Sequence, residues 1–265
     1  MPYKAIEMIA YRRHLPRPPL SEFIEVLWLY ENAGSLHRSE RVLPTGTVEL
    51  VINLRDDAGR NFDGVVAGPH SRFFMLDSGQ PVSVIGAHFK AGGAFPFFAL
   101  PMDELRNQHV PLEILWGKEA VELRELLLST ETLVARLLLL EHALTRHLLR
   151  SRERHPAVGY ALQTFGHRAR RIADVVDEIG MTQRRFIQLF SAEVGLTPKA
   201  FCRIKRFQRA IALVDGRKAV QWADIALASG YYDQSHLVHD FQDFAGLSPA
   251  RYLARRGPFI NHVPE

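Results

Sequence analysis

Ile172-Ala173-Asp174-Val175 to Gly180, Gln183-Arg184-Arg185-Phe186 to Phe190, and Gly195-Leu196-Thr197-Pro198 form a phrase that the chain uses twice. It returns as Trp222-Ala223-Asp224-Ile225 to Gly230, Gln234-Ser235-His236-Leu237 to Phe241, and Gly246-Leu247-Ser248-Pro249. Ala173 and Gly180 recur at Ala223 and Gly230, 50 positions on, whereas Gln183, Phe190, Gly195 and Pro198 recur 51 positions on. One extra residue therefore sits in the second copy's turn. A repeat fixes architecture before any other signal does. Each unit reads as helix, glycine-containing turn, helix, the shape that lays a second helix into a DNA groove. Two such units suit a chain that reads two successive stretches of one DNA site.

Apolar spacing assigns the faces inside each unit. Ile172, Ala173, Val176 and Ile179 are expected to face the core. Thr182 is a natural N-cap, and Phe186, Leu189 and Phe190 return at helical spacing. That leaves Gln183, Arg184, Ile187, Gln188 and Ser191 outward. In the second unit Asp233 caps and Leu237, Phe241 and Phe244 turn inward, leaving Gln234, Ser235, Val238, His239 and Gln242 outside. Arg can grip guanine with two hydrogen bonds, Gln can do so with adenine, and Val or Ile can meet a thymine methyl. Gln183, Arg184, Ile187, Gln188, Gln234, Ser235, Val238 and His239 are thus the candidate base readers. A plain solvated helix face is the competing reading for any one of them.

Between the units, Thr197 caps and Pro198 opens a continuous helix that Gly216 ends. Its inward stripe is Phe201, Ile204, Phe207, Ile211 and Val214. About 17 residues at 1.5 Å each give roughly 25 Å, enough with the flanking bundles to hold two readers about one DNA turn apart. Arg203, Arg206 and Arg209 on its flank are candidates for the phosphate backbone between the grooves, as is Lys205.

Charge separates the halves. Residues 150–265 hold 18 of the 33 Lys and Arg and 11 of the 29 Asp and Glu, a net of +7. The remaining 149 residues hold 15 and 18, a net of −3. A basic repeat-bearing half is what neutralising phosphates requires. The single cysteine, Cys202, excludes an internal disulfide framework and points to a reducing compartment. With no secretory signal behind Met1 and no uncharged run near the ~20 residues a membrane helix needs, a cytoplasmic protein is expected. The leucine-rich stretch from Glu131 to Leu149 reads as one helix, and the polar Arg150 to Pro156 segment as a linker. The next helix, carrying Val158, Ala161, Leu162 and Phe165, is expected to stop at Gly166.

Residues 157–256 resemble the DNA-binding domain of the AraC/XylS transcriptional regulators. The resemblance rests on Ala173, Gly180, Phe186, Phe190, Gly195 and Pro198, then on Arg206-Phe207, Ala210 and Leu213. It continues through Gly230-Tyr231-Tyr232-Asp233-Gln234-Ser235-His236, Phe241, Gly246-Leu247-Ser248-Pro249 and Tyr252. It implies two helix-turn-helix units joined by a helix, and activation or repression of transcription. Double-stranded DNA is the implied partner, with RNA polymerase added in an activator. Thr182 stands where serine is usual, and Ile187 places an apolar residue on the first reading face.

The N-terminal 150 residues carry strand signals at Phe23–Tyr30, Thr47–Leu54, Phe73–Leu76 and Val82–Phe89, then helices from about Lys118 to Leu149. The expected class is α+β: a β-rich N-terminal domain (1–150) with trailing helices, then an all-α C-terminal domain (157–256). Leu43-Pro44-Thr45-Gly46-Thr47-Val48-Glu49-Leu50 and Phe89-Lys90-Ala91-Gly92-Gly93-Ala94 resemble an N-terminal domain found in a subset of these regulators. Glu49, His88, Phe95, Phe98 and Trp116 are the candidate contacts for a small-molecule effector, against the competing reading that they are core and exposed strand face. Gly92-Gly93 lacks the spacing of a phosphate loop and reads as a turn. Leu133, Leu137, Leu140, Leu144 and Leu148 form a stripe that is either core or a homodimer seam.

No nucleophile, base and orienting group stand at catalytic spacing, so the chain is not read as an enzyme, and no cofactor is implied. A DNA-repair reading would need a cysteine cluster, and Cys202 is alone. A metal-responsive regulator would rest on His236, His239 and Asp240, which share one turn. A non-specific architectural DNA binder would explain the basic half and leave the acidic β-rich half unexplained.

Overall fold

A computed structural model describes residues 10–32, 39–55, 62–148, 153–167, 170–217 and 220–265. Among the described residues the N-terminal half supplies eight strands: β1 (Ala10–His14), β2 (Ile24–Asn32), β3 (Ser39–Val42), β4 (Glu49–Asn53), β5 (Gly64–Ala67), β6 (Phe74–Asp77), β7 (Val82–Phe89) and β8 (His109–Pro111). Helices α1 (Leu112–Trp116), α2 (Lys118–Ser129) and α3 (Leu133–Leu148) follow. The C-terminal half supplies α4 (Pro156–His167), α5 (Ile172–Ile179), α6 (Gln183–Val194), α7 (Pro198–Val214), α8 (Trp222–Ser229), α9 (Gln234–Ala245) and α10 (Pro249–Arg255). A last strand, β9 (His262–Pro264), comes after them.

The strands form a six-stranded antiparallel sheet in the order β1-β2-β7-β4-β5-β8 and a small sheet in the order β6-β3-β9. Strand alternation decides the faces. Leu27, Leu29, Leu50, Ile52, Val66, Ile85, Ala87 and Phe89 point one way and are buried. Against them pack Leu137, Leu140 and Leu144 of α3, with Phe97, Phe98 and Trp116. The leucine stripe is therefore core. What α3 turns outward is Val134 and Leu138, 68% and 49% exposed. Leu149 and the linker residues Arg150–Arg152 lie outside the described residues.

The second core is helical, with Phe186, Phe190, Phe201, Phe207 and Phe241 fully enclosed. The connecting helix behaves as its spacing predicts: Phe201, Ile204, Phe207, Ile211 and Val214 are all buried. In α5 the phase corrects the sequence reading. Val175 and Val176 are buried with Ile172 and Ile179 half-buried, the regular i, i+3, i+4, i+7 stripe, and Ala173 faces outward. Gly166 does not stop α4, which runs one residue further.

The two halves share surfaces rather than a tether. Leu43 and Val263 belong to the helical core. Gln208 of α7 donates to the Pro44 carbonyl at 2.8 Å and to Asn261 at 2.9 Å. Arg154 donates to the Gly92 carbonyl at 2.9 Å and lies over the Phe23 ring. Both N-terminal phrases singled out in the sequence, Leu43 to Leu50 and Phe89 to Ala94, are thus docking surfaces for the helical half. No helix among the described residues is long and apolar enough to cross a membrane.

Candidate nucleic-acid interface

Each candidate reader helix, α6 or α9, starts from a side-chain cap. Thr182 accepts from the Arg185 N–H at 3.3 Å, and Asp233 accepts from the His236 N–H at 2.8 Å, satisfying donors that a helix start leaves open. The turn before each reader closes on a left-handed glycine, Gly180 or Gly230. Phe186 and Phe190 then pin α6, and Leu237, Phe241 and Phe244 pin α9, which fixes the outward faces. Gln183, Arg184, Gln188, Gln234, Ser235 and His239 are exposed, and Ile187 and Val238 are half-buried beside them. All eight candidate base readers therefore sit on two free faces, near the N-terminal ends of their helices.

The connecting-helix arginines are placed differently. Arg203 holds the fully buried Asp240 at 3.1 Å and Asp243 at 2.7 Å, and lies over the Phe244 ring. Arg206 stacks over Tyr231, and Arg209 donates to the Ser229 carbonyl at 3.3 Å. These guanidinium groups work inside the fold, tying α7 to the second unit. His239, Asp240 and Asp243 bring three ligand-type atoms within 4.8 Å of one another, yet the Arg203 cation already answers both carboxylates. His236 stacks edge-on to Tyr231 instead.

The effector candidates divide between the two faces of the large sheet. Phe98 and Trp116 are stacked in the buried core, with the indole N–H donating to the Phe97 carbonyl at 3.0 Å. Phe95 is half-buried against the same cluster. Glu49 and His88 do converge, on the opposite face: His88 Nδ1 lies 2.5 Å from Glu49 Oε2, and the Trp28 indole donates to Glu49 Oε1 at 2.6 Å. Glu25 lies 3.8 Å from the same histidine. Burial opposes the protonated imidazole, but the Glu49 charge and hydrogen bond, with Glu25, outweigh it and raise the His88 pKa, while Lys205 pulls the other way.

Lys205 belongs to α7, so this cluster bridges the halves. Its own pKa is lowered, first by burial, against the Glu25 charge. The sequence read Lys205 only as a phosphate contact and passed over Trp28 and Glu25. Strand parity could have placed Trp28 beside Glu49 and His88, but nothing local could pair Lys205 with a strand 117 positions earlier. His70 lies elsewhere, 8% exposed and in tilted ring contact with Phe74 and His109, its pKa lowered to about 4 by burial and then by His109.

Residues 175–255 match the family described as Helix-turn-helix domain, HTH_18, and residues 12–111 match Domain of unknown function DUF6597. The search of curated proteins finds no match. Among solved structures, a 1.65 Å structure of ToxT from Vibrio cholerae aligns with TM-score 0.42 and 11% identity, covering 93% of this chain and 97% of that one. Wild-type ToxT from strain SCE256 bound to an unsaturated fatty acid aligns with TM-score 0.40 and 13% identity, over 96% and 97%.

Proposed function

We propose that the chain, which carries a helix-turn-helix domain over residues 175–255, is an AraC-type transcription regulator that reads a specific DNA site through two successive major grooves, under control of a small-molecule effector. The observation that carries the first part is the pair of free, capped reader faces joined by a rigid 17-residue helix. One reader per groove, about one helical turn apart, is the arrangement that such a pair suits. The effector part is supported by the Glu49–His88 cluster, where charged groups from the sheet meet Lys205 of α7. A ligand seated there touches both halves, and it shifts DNA binding by its difference in affinity between the two arrangements, typically about 1–3 kcal/mol. The division at 1–150 and 157–256 belongs to the same reading, as does a homodimer built through the outward Val134 and Leu138 face of α3 rather than through the leucine stripe. In an activator, RNA polymerase is a further partner.

Footprinting of a duplex selected from a random pool should protect two patches about ten base pairs apart per chain. Protection of a single groove-sized patch would sink the two-reader reading. A metabolite that alters the wild-type footprint should lose its effect in Glu49→Gln and His88→Ala. An unchanged response in both variants moves the effector away from this cluster.

A further inference from the structure

The repeated phrase ends, in both units, on a glycine followed by leucine: Gly195-Leu196 after α6 and Gly246-Leu247 after α9. These are equivalent positions of the repeat, and the N-terminal half sits against both. A Cβ at Gly195 would lie 2.3 Å from Pro69 Cγ and 2.7 Å from the Met102 carbonyl oxygen. One at Gly246 would lie 2.6 Å from Arg41 Nη1 and 2.6 Å from Phe73 Cε1. Each glycine has a positive φ, as a helix-ending turn requires, but the close approach is a separate demand.

Hydrogen bonds reinforce the contact. The end of a helix leaves carbonyls without partners and gathers partial negative charge. At the end of α9 the Phe244 carbonyl accepts from the Phe73 N–H at 3.0 Å, and the Ala245 carbonyl accepts from Arg41 Nη1 at 3.2 Å. Arg41 is itself fixed, lying 4.7 Å over the Phe73 ring and paired with Glu265 beside β9. At the end of α6 the grip is the close packing of Pro69 and Met102 on Gly195, and the nearest hydrogen bond between the halves is that of Arg154 with the Gly92 carbonyl at 2.9 Å.

We propose that the N-terminal half is a two-point brace that sets the relative orientation of the two reader helices by gripping each at the turn that ends it. Pro69 and Met102 are the positioning residues for α6, and Arg41 and Phe73 those for α9. This rests on the two-groove reading above. The leverage is greatest for Gln183 and Gln234, which open the two helices, and about half as great for Gln188 and His239 at mid-helix. Twelve residues span roughly 18 Å, so a tilt of about 10° at the gripped end moves the reading tip by roughly 3 Å. That is close to the ~3.4 Å between successive bases on a strand. A shift at the N-terminal sheet therefore changes which spacing of two half-patches the chain prefers.

The test uses the full chain and the selected duplex, together with duplexes in which one base pair is inserted or removed between the two patches. The wild type should prefer one spacing. Arg41→Ala and Gly246→Ala should flatten that preference by at least about fivefold, the low end of ordinary coupling between sites. Arg41→Lys should restore part of it. Gly117→Ala, between α1 and α2 and outside both units, is the control: it carries positive-φ strain at a turn with nothing within 4 Å of the added atom, and it should keep the wild-type preference. Retention of the preference in Arg41→Ala, or an equal loss in Gly117→Ala, overturns the brace. A wild type that protects only one patch instead removes the two-groove reading.

Discussion

The two helix-turn-helix units share every feature that a local backbone needs and almost none of their buried charge. Both readers have a capping side chain, Thr182 or Asp233, and both end on a left-handed glycine, Gly195 or Gly246. Yet Asp240 of α9, fully buried and held by Arg203, corresponds across the 51-residue offset to Leu189 of α6. Buried Glu193 of α6 corresponds to Phe244 of α9. Caps and turns answer the same problem in each unit, open helix-end groups and a reversed chain. Buried carboxylates answer different neighbours: α9 lies across the arginine flank of α7, whereas the end of α6 meets the His155 N–H. The repeat therefore preserves shape, and the anchoring is particular to each site.

The largest effect that could break this contrast is at Arg203. Arg203→Ala leaves Asp240 enclosed without its cation and should cost about 3–5 kcal/mol in urea unfolding. Arg203→Leu with Asp240→Leu, which imitates Leu189 of the first unit, should recover most of it. A cost below about 1 kcal/mol for the single change would mean that Asp240 is not the second unit's anchor.

At the reading faces the units should separate by patch rather than by size. Arg184→Ala and Gln188→Ala should relax base preference in one patch, and Gln234→Ala and His239→Ala in the other, by about 1–3 kcal/mol at particular base pairs. Competition with single-base variants of the selected duplex reads this directly. Equal loss on every sequence would reduce these side chains to backbone contacts.

The smallest effect tests the first unit's anchor. Burial raises the Glu193 pKa to about 6, against hydrogen bonding from the His155 N–H and the charge of Arg154. Because the folded value lies above the ordinary 4.5, its contribution is fully present below pH 4.5 and is lost as the pH rises through about 6. Glu193→Gln removes that loss, so it should stabilise by about 1 kcal/mol at pH 7.5 relative to its effect at pH 4.5. Unfolding midpoints that differ equally at the two pH values would show that the carboxylate is not paying for its burial.

The helical half was legible because its signals are local. Caps, turn glycines and i, i+4 spacing place Gln183, Arg184, Gln188, Gln234, Ser235 and His239 without reference to distant residues, and the structure leaves them exposed. Of the nine strands among the described residues, the four expected ones are written as apolar runs or apolar alternation. Ser39–Val42, Gly64–Ala67 and His262–Pro264 are short, and pairing alone makes them strands. The same limit explains the leucines of α3, whose spacing fits a core or a seam equally well until the sheet face is seen against them.

Sequence by itself determined the repeat, its two capped second helices and the connector, because each of these is written within about 17 residues. Tertiary structure alone decided where the arginines of α7 point, that Glu49 and His88 stand on the face opposite Phe98 and Trp116, and that Gly195 and Gly246 abut the N-terminal half. The physical reason is range. Backbone caps and periodicity act over one or two helical turns, whereas an ion pair or a close approach depends on which surfaces the whole chain brings within a few ångströms.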